Sequence, residues 1–368
     1  MFLKDSLIMK HRIILTEFNP VRGHSNLLSH TSKLLNPNFD VITITTSDNN
    51  KCKEGKNIHL SQKYYVPKKN RFFDYICFII YSFKIFFSII KYAQKYEIKS
   101  IVCITYDEFI QFLLTPFVPK SLNIYLMSHI NIDNYGNSSI KRWMFNMIKD
   151  RYLHIVQCGF IADYLKSEFS IDNVLVWPHP LNNIKKTHSQ RDIDCAGLSY
   201  SNDETIILNF IEAEKNKQIF KKNNLRVILK SKTKTYDNGF LTVFQGRIPD
   251  SEYDDIINRA YTILIPFPQS FKMRMSGTLM DSLTNKKIVI ASPIPVILEC
   301  KKIYPSIVHV FNLETFVDDL CSIKRQGTKP NDFLSFCDFH GDTNLEKIMY
   351  TSLSSSLNKC IVVNSYDF

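Results

Sequence analysis

Short apolar runs alternate with longer segments of helical spacing along the whole chain, and this alternation limits the fold more than any single residue does. In the first half the runs are residues 12–16, 41–45, 100–105, 123–127, 154–157 and 174–177. Between them, residues 25–35, 72–96, 140–149 and 160–168 carry apolar spacing nearer 3.6 than 2. Parallel strands need a crossover connection, so strands joined by helices imply parallel sheets. A polar, basic stretch without apolar period, residues 182–192, then interrupts the pattern and reads as a linker. Beyond it the alternation restarts. Strands are expected at 193–196, 226–230, 241–244, 262–265, 288–291 and 307–311, and helices at 205–220, 250–258, 277–283 and 313–323. The chain therefore reads as two α/β units in tandem, residues 1–181 and 182–368, with the last helix free to pack back on the first.

With 368 residues, 45% hydrophobic and 22% charged, the chain has the mix of a folded protein and not of a disordered, collagen-like or coiled-coil one. Nine cysteines are scattered with no C-x-x-C pair, which argues against zinc and thioredoxin chemistry and for a reduced, cytoplasmic compartment. No signal peptide is expected from Met1–Ser6. The most apolar stretch, residues 72–93, is interrupted by Asp74, Lys84 and Lys91, which disfavours a membrane span. It reads first as a long, mostly buried helix, and second as one resting partly on an anionic bilayer surface. The net charge of +11 fits such a surface. The Lys and Arg residues are spread along the chain with no nucleic-acid-binding signature, so no nucleic-acid partner is expected, although a basic nucleic-acid-binding protein is the remote alternative.

Residues 260–292 are the most informative. They parse as strand, a loop with Pro266 and Pro268, a helix opening at Ser276 and Gly277, and a second strand. Ser276 suits an N-cap, leaving the amides of Gly277 and Thr278 at the positive end of the helix, where phosphate is favoured. Arg274 can add a bidentate contact to the same anion. Asp281, one turn further, would repel phosphate and suits a pair of ribose hydroxyls instead. A plain capped helix with an exposed Arg and Asp accounts for the same residues.

This segment resembles the donor-binding region of GT-B glycosyltransferases, the large, mostly retaining group (family 4-like) of bacterial polysaccharide assembly. The strand Lys286–Ser292 matches the group's "gkPVias" run, and Asp281 stands where the second acid of its Glu-x7-Glu pattern belongs. Met273 replaces the first acid, and Arg274–Gly277 is similar to an Arg-x-Ser-Gly variant. The segment Phe244-Gln245-Gly246-Arg247-Ile248-Pro249 with Tyr253 resembles the group's nucleobase-holding turn, and Lys230 could reach the diphosphate. In the first unit, Gly23 and His24 resemble the glycine loop that meets donor phosphate or acceptor.

The resemblance implies α/β architecture of the GT-B type, two Rossmann-like domains facing across a cleft, acceptor mostly on the first and nucleotide sugar mostly on the second. It implies hexosyl transfer, of the retaining kind, to a hydroxyl of a growing lipid-linked surface glycan of O-antigen, lipopolysaccharide or capsule type. The work would be done in the cytoplasm or peripherally on the inner face of the cell membrane. The catalytic candidates are Arg274 for the departing diphosphate, His129 beyond the strand at 123–127, and Asp107 of the adjacent pair Asp107-Glu108 beyond that at 100–105, where a carboxylate could act as base. A bystander histidine and a helix-capping aspartate are their bland counterparts. No metal or cofactor is expected. A non-catalytic GT-B relative and a nucleotide-sugar epimerase stand as alternatives. No P-loop, dinucleotide, nucleophile-elbow or H-E-x-x-H motif is present.

Overall fold

The computed structural model describes residues 10–17, 25–45, 56–60, 70–129, 131–181, 190–246, 248–326 and 330–363. The chain divides into two compact units, Met1–Pro180 with Asp342–Phe368, and Leu181–Gly341.

In the first unit the order is β1 (Arg12–Thr16), α1 (Ser25–Leu35), β2 (Asp40–Thr45), β3 (Lys56–His59), α2 (Arg71–Lys95), β4 (Ser100–Cys103) and α3 (Glu108–Leu114). It continues with β5 (Asn123–Met127), α4 (Asn131–Asn137), α5 (Ser139–Ile148), β6 (Leu153–Val156), α6 (Gly159–Phe169) and β7 (Val174–Val176). The strands form one parallel sheet in the order β3-β2-β1-β4-β5-β6-β7. A parallel sheet is covered on both faces, which is why its strands read as unbroken apolar runs. One face packs on the inner side of α2 and α3 through Ile85, Phe86, Ile89, Ile110 and Leu114.

The second unit runs β8 (Ile193–Gly197), α7 (Glu204–Lys217), α8 (Ile219–Lys222), β9 (Val227–Ser231), β10 (Tyr236–Asp237), β11 (Leu241–Gln245), α9 (Asp250–Arg259) and β12 (Ala260–Ile265). Next come α10 (Gly277–Thr284), β13 (Ile288–Ala291), α11 (Pro295–Ile303), β14 (Val308–Val310), α12 (Phe316–Gln326) and α13 (Pro330–His340). Its sheet order is β10-β11-β9-β8-β12-β13-β14, parallel except for the short edge strand β10. The final helix, α14 (Asp342–Val363), returns to the first unit. There Leu345, Met349 and Leu353 share a core with Leu27, Leu28 and Trp177.

In each sheet the first strand lies inside, β1 between β2 and β4, β8 between β9 and β12. The chain steps outward from that strand on one side and then crosses back to its other side at β4 or β12, and this switch opens a crevice at its carboxyl end where α/β folds take ligands.

Two expectations need correction. The helix at 205–220 is two helices, because Gln218 adopts φ 52 and breaks the ladder, and Glu214 then accepts the Phe220 amide at 2.7 Å. The helix at 72–93 is not mostly buried: its inner stripe fills the core, but Phe72, Phe73, Ile80 and Phe87 are exposed. Most of the linker at 182–192 lies outside the described residues.

Candidate functional site

The donor-side residues gather at the carboxyl edge of the second sheet. After β12 the loop turns at once: Phe267 N donates to Ile265 O at 3.0 Å, and Phe271 N to Pro268 O at 3.0 Å. The turn brings the Phe267 and Phe271 rings to 5.3 Å and sets the Arg274 guanidinium 3.6 Å from the Phe271 centroid. A cation stacked on a ring is held in direction while its N–H fork stays usable.

Ser276 then caps α10. Its backbone is extended, φ −99 and ψ 124, and its hydroxyl accepts the Leu279 amide at 3.1 Å. The Gly277 and Thr278 amides belong to the first turn, where no helical acceptor exists. Gly277 is exposed, and a Cβ built there would meet nothing within 4 Å. Protein packing therefore does not demand this glycine; its bare backbone is an open approach to the helix end.

One turn down, Asp281 Oδ2 accepts a hydrogen bond from Tyr253 Oη at 3.1 Å, joining α10 to α9. Burial, then the Asp281 carboxylate beside it, pushes the Tyr253 phenol up, so it stays protonated and donates. Tyr253 thus enters the site through its hydroxyl, a contact that position in the sequence did not suggest. Gly246 takes φ +89 just after β11, which only glycine adopts freely, and leads through Ile248 into α9. Lys230, near the end of β9, places its ammonium 5.1 Å from the centroid of Tyr200 in the loop after β8. Asn202 ties that edge together, donating to Gly197 O at 2.9 Å and Lys230 O at 3.3 Å. Gly23, His24 and Arg247 lie outside the described residues.

The other candidates sit at the carboxyl edge of the first sheet. His129 donates from Nε2 to Ile104 O at 2.8 Å. Asp107 caps α3: its Oδ1 accepts the amides of Phe109 and Ile110, both at 3.0 Å. Burial pushes this carboxyl up, and the neighbouring Glu108 adds to the shift. Glu108, the other carboxylate of the Asp107-Glu108 pair, has a different setting. It is buried, and accepts from Asn131 at 3.1 Å, Asn134 at 2.6 Å and Lys141 at 3.3 Å. These side chains line a cavity of about 260 Å³ with Phe78 and Ser82 of α2. Their spacing of 23 to 33 residues from Glu108 leaves no local signal. Among the described residues, no group of three His, Cys, Asp or Glu could hold a metal ion.

No family model and no curated protein sequence matches the chain. Solved structures do. A glycosyltransferase from Rickettsia africae ESF-5 aligns over 96% of this chain and 99% of its own, with 14% identity and a TM-score of 0.57. Anabaena Alr3699/HepE, solved in complex with UDP-glucose, covers 94% and 99% with 9% identity and a TM-score of 0.60. The lipopolysaccharide outer core galactosyltransferase WaaB covers 94% and 99% with 11% identity and a TM-score of 0.55. The chain accordingly has the GT-B glycosyltransferase fold, α/β with two Rossmann-like domains.

Proposed function

We propose that this protein is a glycosyltransferase that moves a sugar from a nucleotide diphosphate sugar to a hydroxyl of a glycan acceptor. The observation that carries the reading is the loop and helix start at 271–281. A ring-stacked Arg274, a Ser276-capped helix with an open Gly277 and a carboxylate one turn below stand in the order diphosphate, then ribose. Negative charge grows on the departing diphosphate in the transition state, so Arg274 and the Gly277 and Thr278 amides are the groups that lower the barrier. Asp281, already oriented by Tyr253, holds the ribose hydroxyls. His129 and Asp107 are the acceptor-side candidates on the first unit.

The UDP-glucose complex of HepE supports a nucleotide-sugar donor, and the WaaB likeness supports a lipid-linked surface glycan as acceptor. Hexosyl transfer with retention, at the cytoplasmic face of a membrane, completes the proposal.

Titration with UDP-, GDP- and CMP-sugars, followed by nucleotide release with and without acceptor, tests it. One donor class should bind, and acceptor should speed release. Arg274→Ala should lose about 1–3 kcal/mol of donor-dependent transition-state stabilisation. Wild-type turnover in that variant would remove Arg274 from the site, and tight binding without any release would leave a non-catalytic relative.

A further inference from the structure

Helix α2 has two unlike sides. Its inner side, Ile85, Phe86, Ile89, Ile90 and Ala93, fills the core of the first unit. Only 28% of its most apolar window is buried, although the mean hydropathy there is 1.8. A second stripe faces outward at helical spacing: Phe73 and Ile80 are 61% and 51% exposed, with Ile76 between them and Phe87 two turns on. This stripe does not stop at the helix. Phe117, 52% exposed, meets the rings of Phe83 and Phe87 at 6.1 and 5.7 Å. On α5, Ile140, Trp143 and Met147 form a second exposed apolar stripe, with Trp143 resting on Phe112 of the intervening α3 at 5.5 Å. Contiguous apolar surface of this kind marks an interface.

Charge identifies the occupant. Along α2 the outer stripe grades from aromatic and aliphatic in the first turns to Lys84, Lys91 and Lys95, all exposed, while Asp74 is its one acidic residue. Lys84 and Lys91 have no carboxylate partner among the described residues. Lys120 stands exposed three residues beyond Phe117. Apolar side chains with unpaired lysines beside them match a layer that is apolar inside and phosphate-bearing outside. A membrane span is ruled out by the inner stripe, since a helix that supplies the core of a sheet cannot also be surrounded by lipid.

We propose that the outer face of α2, the Phe117 turn and α5 dock the protein onto an anionic phospholipid bilayer, the first turns of α2 and Trp143 entering the acyl boundary and the lysines meeting phosphates. The proposal stands independently of the donor site.

The test uses the full chain and vesicles of phosphatidylcholine, with or without phosphatidylglycerol. The protein should sediment with the mixed vesicles, less with the neutral ones, and less again at high salt. Phe73→Ser/Ile80→Ser and Lys84→Glu/Lys91→Glu should each weaken partitioning by about tenfold or more, while thermal midpoint and nucleotide-sugar binding in solution stay as in wild type. The chain has two tryptophans, and Trp177 is buried, so vesicle-bound emission should shift blue and be quenched by brominated acyl chains through Trp143. Trp143→Phe should abolish that quenching. Wild-type protein that stays in the supernatant, folded double variants that bind unchanged, or bound protein with an unquenched Trp143 would overturn the proposal. So would a dimer in sedimentation velocity that Phe73→Ser/Ile80→Ser dissociates with no vesicle binding, since a second copy would then cover this face.

Discussion

Arg274 is steered by its own loop: the Phe271 ring lies 3.6 Å under the guanidinium, and Phe267 backs that ring. Phe271→Ala should therefore lower kcat/KM for the donor about 2- to 30-fold, the equivalent of about 0.5–2 kcal/mol of cation–ring attraction. Phe271→Tyr should restore it, and steady-state kinetics on the two variants checks both. Arg274 and Ser276 were legible in the sequence because capping chemistry is local. Phe271 was not, since a ring and a guanidinium brought together by a proline turn leave no periodic trace. His154 gives a second residue-scale prediction. It is buried in β6, donates from Nε2 to Lys149 O at 2.8 Å, and burial lowers its pKa to about 4 from 6.5. Between those values the unfolded chain binds a proton that the folded chain refuses, so stability rises with pH across the window and is complete above it. His154→Gln should flatten that rise, by about 2–3 kcal/mol between the two ends, in denaturant melts compared pH by pH with wild type.

Elements were more legible than their surroundings. The strand at 288–291 and the start of α10 fall where apolar run and cap predict. The left-handed Gln218 that splits α7 from α8 does not announce itself, because nothing in glutamine favours that conformation. The bare face of α2 stood only as the second of two readings for a different reason: spacing shows which side of a helix is apolar, and here nearly every side is. Helix α9 shows how one distant side chain fixes an element. Lys287, just ahead of β13, is buried and donates to Asn258 O at 2.7 Å and Ala260 O at 2.8 Å, the point where α9 gives way to β12. Burial, helped by Arg191, pushes its ammonium down to about 8. Lys287→Met keeps the bulk but strands two carbonyls, and should cost about 2–4 kcal/mol. It should also raise the donor KM, because α9 carries the Tyr253 that orients Asp281. A melt and a donor titration on one variant check the pair, and an unchanged melt would show that water replaces the ammonium.

At the scale of the molecule, the tandem α/β reading came from alternation alone, and both sheets do place their first strand inside. What alternation does not reveal is how far along the chain the first unit ends. Helix α14 seals that unit: Leu345, Met349 and Leu353 are essentially fully buried against Leu28, Leu35 and Trp177. Asp342 is bound by His30 at 2.7 Å and Lys33 at 2.8 Å, and the Trp177 indole donates to Ser352 Oγ at 2.8 Å. Each of the three apolar side chains contributes roughly 1.5–3 kcal/mol by its burial. Their sum is comparable with the whole stability of an ordinary domain, about 5–15 kcal/mol. A chain ending at Gly341 should therefore lose the cooperative melt of its first unit and keep that of Leu181–Gly341. Both tryptophans belong to the first unit, so fluorescence separates the two: the shortened chain should emit at the red position of exposed indole while calorimetry still finds one transition. Native emission from Trp177 without α14 would mean that the sheet closes its core unaided and that the helix is an accessory to a unit already complete.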